Sequence, residues 1–510
     1  MNRILRNALT VGAFTSLSRV LGLVREMLQS RFIGAGVEQS AFTLAFALPN
    51  MMRKLFGEGA LTAAFVPVFK GEVEARAMDS ARRLARSVMT MAMLMLASIV
   101  AVSLLGLDAV TRFRFDLGLS DRALLTIRLV KTLLPYMIFI CGAAFGMGVL
   151  NAMGRFKASS SMPCLLNVFW IGILLWICFS PELRLDQRVH RVALAILVAG
   201  AFQMAFMLWR MHCAGVTPGL SFSGWRDSKV RLVWRNTAIA AMGAGAVQVN
   251  YMLDQVLGQI AAPWAAGVIG YAERLMDLPL GVVGVAFGTV LLPTFAGFFS
   301  RGDAEGAREA FVSSSGQMLF VMVPAAVGLG LLAPDVTAVV YRGGAFDDLA
   351  VARVSKAVAV YASGLVFFGL NKSLVPWFQA QNDMKTPLRV SVVTVCLNAA
   401  LNIMAVFCLP EEWRHVGLAT STVLCAGCGI AILAHAARRR NGSLGMRRLA
   451  VPIVKMLAGS ALMSAAVLSA KRLSCLPPAL SLAFSVAVGG GVYLASMAAM
   501  GVRWTGRRKQ

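Results

Sequence analysis

Four arginines lie within long apolar stretches of this 510-residue sequence. They are Arg19, Arg25, Arg53 and Arg274. A charge at the centre of a bilayer costs roughly 2.5–3.5 kcal/mol on insertion scales, so each of these side chains is expected to face a cavity or a partner. A guanidinium group keeps its proton in such surroundings and matches the oxygens of a phosphate bidentately. These residues indicate a water-filled cavity that holds an anionic, phosphorylated group.

The acids near these arginines support a second interpretation, in which the charges form a structural network of ion pairs. The pairs with helical spacing are Arg19 with Glu26, Lys54 with Glu58, and Arg274 with Asp277. Side chains three, four or seven positions apart share one face of a helix and can pair there. The residues alone leave both interpretations open.

Asp254 is a lone acid in another apolar stretch, with Asn250 one helical turn before it. Gln248 and Gln255 flank this pair. Oxygen ligands of this kind suit Na⁺ or a proton, which could serve as a coupling ion. A satisfied polar contact explains the same residues equally well.

No group of residues indicates catalysis or a resident metal. Cys425 and Cys428 form a CxxC motif, but no second Cys or His pair accompanies it, which favours two small apolar residues in a helix. The four histidines do not cluster, and no nucleophile lies in a motif with a base. The sequence therefore predicts no enzyme, no cofactor and no metal site.

The composition shows what must position these charges. Hydrophobic residues make up 58% of the chain and charged residues 14%, and the mean hydropathy is +0.71. An ordinary soluble domain has roughly 45–50% apolar and about 25% charged residues, so a soluble or a disordered protein is excluded. The net charge of +25 comes from basic residues that punctuate apolar runs, which is typical of a multi-pass membrane protein and needs no nucleic-acid partner.

Fourteen stretches are long enough to cross a bilayer, at about 20 residues each. Their long apolar runs favour helices over strands. They are predicted near residues 8–33, 41–68, 87–107, 129–152, 160–180, 192–211, 237–259, 264–296, 312–333, 354–378, 388–409, 416–436, 449–470 and 479–501. If both termini are cytoplasmic, the inner loops carry more than twice as many Lys and Arg residues as the outer loops, which predicts that orientation.

A weak internal repeat divides the helices. The segments that begin at Leu48 and Leu278 both start Leu-Pro and end Pro-x-Phe, and they lie six helices apart. The turns after Asn151 and Ala380 each lead to a proline and then to a helix that contains an asparagine, Asn167 in the first case and Asn398 in the second. Chance similarity within an apolar chain is the alternative. The repeat predicts two six-helix lobes and a two-helix extension, at 1–225, 226–440 and 441–510, as in transporters with a site between two halves.

Several segments resemble the signature segments of the MurJ/MviN family of lipid II flippases, in the MOP superfamily of exporters. They are SRVLGLVRE (Ser18–Glu26), LPNMMRKLFGEGALTAAFVPVF (Leu48–Phe69), YAERLMDLPLGVVGVAFGTVLLP (Tyr271–Pro293), GRFK (Gly154–Lys157) and QNDMKTP (Gln381–Pro387). The likeness runs over most of the chain. It implies fourteen helices, two six-helix lobes and a two-helix extension that forms a groove for a lipid tail.

The resemblance also implies a substrate and a site. Members of the family move lipid II, the undecaprenyl-pyrophosphate-linked disaccharide-pentapeptide, from the inner to the outer leaflet for peptidoglycan synthesis and cell-wall organisation. The family's cavity arginines correspond to the four arginines above. Its acidic cavity positions correspond to Glu58, Glu273 and Asp277.

The chain departs from the family pattern at one position. The family often has an Asp before Ala-Phe in the first loop, whereas GAGVEQSAF places Ser40 there, with Glu38 two residues earlier. We expect Glu38 to substitute in any gating contact. Asp254 resembles an acid proposed as a cation ligand in some members, with Asn250 beside it.

These features predict a flippase in the bacterial cytoplasmic membrane that works by alternating access, as a monomer among membrane phospholipids, with cell-wall synthesis enzymes as further partners. Na⁺, H⁺ or the membrane potential would drive it. The alternatives are a multidrug or metabolite antiporter of the same superfamily, a membrane glycosyltransferase or ligase acting on lipid-linked sugars, and a structural scaffold. An acidic or aromatic cavity would indicate the antiporter, and paired carboxylates on an outer loop would indicate the glycosyltransferase or ligase. Cavity substitutions without effect would indicate the scaffold.

Overall fold

The computed structural model describes residues 3–57, 60–113, 118–222, 227–288, 290–473 and 476–502. Across these ranges the chain is almost entirely α-helical and contains no β-strand, which confirms the predicted fold class. By contacts it divides into two compact units. Unit 1 comprises Met1–Gln259 with Gly343–Phe346, and unit 2 comprises Ile260–Arg342 with Asp347–Gln510. The predicted domain boundaries at residues 225 and 440 remain a prediction.

Unit 1 contains nine described helices, the last of which ends just beyond its boundary. They are α1 (Arg3–Ile33), α2 (Val37–Met52), α3 (Ala60–Glu74), α4 (Met78–Arg112), α5 (Asp121–Leu133), α6 (Tyr136–Ala152), α7 (Phe156–Cys178), α8 (Leu185–Cys213) and α9 (Ser228–Ala261).

Unit 2 also contains nine described helices, and a 3-10 turn at Met446–Leu449 precedes the last two. They are α10 (Ala265–Gly288), α11 (Leu291–Ser300), α12 (Ala304–Leu331), α13 (Ala333–Tyr341), α14 (Asp348–Gln379), α15 (Lys385–Cys408), α16 (Glu411–Asn441), α17 (Ala450–Leu473) and α18 (Pro478–Ala499).

Ten helical segments within the described ranges are long and apolar enough to cross a membrane, and each overlaps a predicted span. The four other predicted spans coincide with α1, with α2 and α3, with α9, and with α10 and α11. Those four segments carry the arginines and acids singled out in the sequence. The full count of fourteen remains a prediction.

The predicted span at 41–68 is not one continuous α-helix. α2 contains Pro49, which has no N–H to donate. Four residues later the chain enters a π-helical turn, Arg53–Gly57, and the N–H of Arg53 donates to the carbonyls of both Pro49 and Asn50. Turns of this kind are rare and occur often at functional sites. One of the four arginines is therefore the first residue of a local irregularity.

Each unit has an apolar core of its own. In unit 1, one cluster packs α2 against α5 to α8 and buries Phe42, Tyr136 and Trp170. In unit 2, a cluster joins α12 to α17 and α18, where Tyr493 is 3% exposed and donates from its hydroxyl to the carbonyl of Phe320 over 2.9 Å. The predicted two-helix extension is thus packed onto helix α12.

Candidate functional site

Arg25 lies on α1, where α1 packs along α7 in unit 1. Only 13% of its side chain is exposed. Its Nη2 donates to Glu26 Oε1 over 2.5 Å, and its Nη1 donates to Asn167 Oδ1 over 2.9 Å. Its Cζ lies 4.4 Å from the ring centroid of Trp170. The guanidinium group is therefore held by a charge, an amide and an aromatic face, which fixes its plane.

Asn167 ties this arrangement to the backbone. It is 5% exposed, and its Nδ2 donates to the carbonyl of Ser18 over 3.1 Å. Both ends of the amide are thus used, the oxygen by Arg25 and the nitrogen by α1. The sequence marked Asn167 only as a repeat position, and its contact with Arg25 was missed because the two residues are 142 positions apart.

Glu26 was predicted to share a helix face with Arg19, and the structure pairs it with Arg25. Arg19 is exposed on α1, whereas Arg25 is largely buried. The six-residue spacing places the two arginines about 120° apart on an ideal helix, so different environments follow from the helix geometry.

Arg53 and Lys54 occupy the π-helical turn after α2. The partly buried Arg53 donates from Nη2 to Asn50 Oδ1 over 3.0 Å. Lys54 Nζ lies 5.3 Å from the ring centroid of Tyr251. Glu58, predicted as a substrate-site acid and as the partner of Lys54, lies outside the described residues. The positive charge of this turn is therefore positioned by an amide and an aromatic ring.

The residues predicted to act in gating begin α2. Gly34 ends α1 with a φ of 78°, in the left-handed region that favours glycine. Glu38 lies in the first turn of α2, where a negative charge is favourable. Ser40 is fully buried, and its N–H donates to the carbonyl of Gly36 over 3.1 Å. The gating role of Glu38 and Ser40 remains a prediction.

The predicted cation ligands lie together on α9. Asp254 is 7% exposed and accepts a hydrogen bond from Asn250 Nδ2 at 3.3 Å. Asn250 Oδ1 and both amide atoms of the fully buried Gln255 have no partner in the described part of the chain. This group offers oxygen ligands to a small cation. No three His, Cys, Asp or Glu residues in the described ranges are placed to hold a metal ion.

Arg274 lies on α10 in unit 2, beside Glu273 and one turn before Asp277. Arg274 and Asp277 are exposed, and Glu273 is partly buried. Leu275 and Leu278, on the adjoining face of α10, line a pocket of about 490 Å³. α12, α13, α17 and α18 complete its almost wholly apolar walls. The exposed Arg274 is therefore adjacent in sequence to Leu275, which lines this apolar pocket of unit 2.

Comparisons with known proteins agree on one family. A sequence profile described as "Lipid II flippase MurJ" matches residues 29–484. A probable lipid II flippase MurJ from Vibrio cholerae is 31% identical over 98% of this chain and 97% of its own. One from Rhizobium tropici is 34% identical over 82% of this chain and 78% of its own.

Solved structures give the same fold. A lipid II flippase MurJ in an inward closed conformation matches 96% of this chain and 98% of its own, with a TM-score of 0.78 and 19% identity. An inward-facing multidrug resistance MATE family transporter of the MOP superfamily matches 84% of this chain and 95% of its own, with a TM-score of 0.68 and 13% identity.

Proposed function

This chain belongs to the MurJ family of lipid II flippases, and we propose that it carries lipid II from the inner to the outer leaflet of the bacterial cytoplasmic membrane. The observation that carries this proposal is the match to the family over residues 29–484. It is a multi-pass membrane protein and a transporter rather than an enzyme, as the sequence predicted. The glycosyltransferase alternative is therefore wrong.

The diphosphate of the substrate would bind to the arginines. Arg25 supports this role because its guanidinium plane is already held by Glu26, Asn167 and Trp170. A group ordered in advance loses less entropy when it binds its ligand. Arg19, Arg53 and Arg274 would supply further positive charge, with Glu58, Glu273 and Asp277 as the acidic members of the site.

The polyprenyl tail would remain in an apolar environment while the headgroup moves. The pocket bounded by Leu275, Pro279, Met463 and Tyr493 supports this assignment, because its walls are apolar and belong partly to α17 and α18. Burial of apolar surface contributes about 25 cal/mol per Å², so a long hydrocarbon chain gains affinity there without any polar contact.

Transport would proceed by alternating access, with both termini in the cytoplasm. The membrane potential can bias such a step, because one charge moved through the field is worth roughly 2.3 kcal/mol per 100 mV. Asp254 and Asn250 would hold a coupling Na⁺ or H⁺. The Gln255 amide, whose atoms have no partner among the described residues, would supply a further oxygen. Glu38 and Ser40 would contribute to gating. The protein would act as a monomer among phospholipids, with cell-wall synthesis enzymes as partners.

The antiporter alternative rests on the shared fold of the superfamily. A site for cationic drugs would be acidic or aromatic, whereas the residues singled out here include four arginines. Competition distinguishes the two functions, since a diphosphate should compete for the flippase site and an organic cation should compete for the antiporter site.

The decisive experiment measures which leaflet holds lipid II. Purified protein is reconstituted into liposomes that contain lipid II, and the accessible headgroup is measured with time. We expect transfer with the wild-type chain and none with empty liposomes. Depletion of the protein in cells should leave lipid II in the inner leaflet. Transfer at the rate of empty liposomes, together with normal outer-leaflet lipid II after depletion, would refute the function.

A further inference from the structure

Trp170 lies between Arg25 and α2 in the core of unit 1. It is 4% exposed, and the Arg25 guanidinium faces its ring. On its other sides it makes edge contacts with Phe42 and Phe46 of α2, each at a centroid distance of 5.5 Å. An arginine that the proposed function assigns to substrate binding therefore rests on one buried indole.

A chain of buried amides fixes the rotation of that indole. Trp170 Nε1 donates to Gln29 Oε1 over 3.0 Å, and Gln29 Nε2 donates to Gln39 Oε1 over 3.0 Å. Gln39 Nε2 then donates to Thr43 Oγ1 over 3.3 Å. Gln29 and Gln39 are 2% and 7% exposed. The chain thus joins α7 to α1 and α2 through the interior of the unit.

Burying two glutamines is costly unless each hydrogen bond is made. A phenylalanine or leucine at position 170 would pack in the same apolar cluster without these amides. Apolar packing does not require these hydrogen bonds. Their effect is to hold the Trp170 indole in one orientation. In that orientation its ring face is turned to the guanidinium, and an indole is the best aromatic partner for a cation.

We propose that Trp170 is a positioning residue for diphosphate recognition, which acts through Arg25 and is itself oriented by Gln29 and Gln39. The inference rests on the proposed function, in which Arg25 binds the diphosphate. Glu26 and Asn167 hold the guanidinium at its edge, and Trp170 covers one face. The ligand would then approach a cation of fixed plane.

The test measures binding of undecaprenyl pyrophosphate to the purified full-length protein. We expect W170L to weaken this binding by about tenfold, because the cation–π contact with a desolvated guanidinium is lost. W170F keeps an aromatic face and should bind within about threefold of wild type. Undecaprenol has the same tail and no phosphate, so its binding should not change in either variant.

The double variant tests whether Trp170 acts through Arg25. In an R25A background, W170L should cause no further loss, because the group that it positions is absent. Trp176 provides a matched control on the same helix, where it is exposed and contacts Arg191 at 5.4 Å. W176L should bind undecaprenyl pyrophosphate like wild type.

The outcomes separate the two proposals. If R25A binds undecaprenyl pyrophosphate like wild type, the assignment of Arg25 is wrong. If R25A loses binding while W170L does not, or if W170L adds its full effect to R25A, the positioning role is wrong. Should W170L fail to fold, Q29L provides the second test, since loss of the indole's acceptor should weaken binding by about threefold in the wild-type background and not in R25A.

Discussion

Unit 1 and unit 2 make the same contact at corresponding helix ends. In the first turn of α4, Asp79 pairs with Arg82 at 3.0 Å, and Arg82 Nε donates to the carbonyl of Gly215, just beyond α8. We call this contact the helix-end clamp.

Unit 2 has a similar helix-end clamp between the first turn of α12 and the last residue of α16. Glu305 pairs with Arg308 at 3.2 Å, and Arg308 Nη2 donates to the carbonyl of Asn441 over 2.5 Å. In both units the acid is the second residue of its helix and the arginine is the fifth. The internal repeat suggested by sequence similarity is therefore expressed in matching contacts.

The two units share the helix-end clamp, but the surroundings of their candidate functional arginines differ. In unit 1, Arg25 is enclosed by Glu26, Asn167 and Trp170. In unit 2, Arg274 is exposed on α10, beside the apolar pocket. The two units therefore share this packing of helix ends and differ in the setting of their arginines, since Arg25 is held by neighbouring side chains and Arg274 is exposed.

Replacing the two arginines should give the largest effects. R25A and R274A should each reduce lipid II transfer by about 100-fold or more, because charge-assisted bonds to phosphate are lost. R25A should also destabilise the protein by about 3 kcal/mol, because Glu26 loses the ion pair with Arg25 in a largely buried site. R274A should change stability less, because its side chain is exposed.

Transfer in liposomes and thermal unfolding check this pair of variants. R25K is the control, because lysine keeps the charge but lacks the planar, bidentate guanidinium group. Relative to R25A, it should recover more of the stability than of the lipid II transfer. Equal loss of stability in R25A and R274A would contradict the contrast between the units.

A smaller effect is expected at the asparagines of the repeat. N167L should weaken undecaprenyl pyrophosphate binding by about tenfold, because a hydrogen bond to a charged group contributes about 1.5–3 kcal/mol. Asn398, its counterpart on α15, is 1% exposed and accepts from Asn402 Nδ2 over 2.9 Å. N398L should lower stability and leave binding unchanged. A matching loss of binding in N398L would indicate that the amide acts only by supporting the fold.

The helix-end clamps should show a modest and equal effect. R82A and R308A should each reduce the free energy of unfolding by about 1 kcal/mol, since each loses one hydrogen bond to a carbonyl and a partly exposed ion pair. Transfer of lipid II should remain at the wild-type rate. Thermal unfolding of the two variants tests the repeat, and a loss confined to one of them would show that the clamps are not equivalent.

The smallest predicted effect is on the stability of the protein at acidic pH. Hydrogen bonds from Lys229 and Ser80 lower the pKa of Glu72 in unit 1. Burial alone would raise the pKa of Asp383 in unit 2, but hydrogen bonds from Thr386 and the charge of Arg440 outweigh it and lower that pKa. Both carboxylates therefore stabilise the fold above the unfolded pKa of about 4, and this stabilisation is lost as the pH falls through the folded value.

The measurement is the unfolding temperature of E72Q and D383N between about pH 5 and pH 3. Each variant should lose part of the acid dependence that the wild-type protein shows. An unfolding temperature that falls as steeply with pH in both variants as in the wild type would assign the acid dependence to other groups.

Much of the fold could be predicted from the sequence, because hydropathy and charge act locally along a helix. Ten predicted spans and the all-helical class follow from runs of apolar residues. The π-helical turn at Arg53–Gly57 could not be predicted, because it depends on how the helix continues past Pro49 in its packed setting. The sequence placed Glu26 on one helix face with Arg19, seven positions earlier. Its contact with the adjacent Arg25 was not predicted, since neighbouring side chains do not face each other on an ideal helix.

Composition and spacing along the chain were sufficient to predict a membrane protein and to locate arginines where charge is costly, since both are local properties. Which groups contact each arginine depends on tertiary packing. Asn167 and Trp170 reach Arg25 because α7 packs along α1, and residues more than 140 positions apart are brought together by side-chain packing that no local pattern encodes.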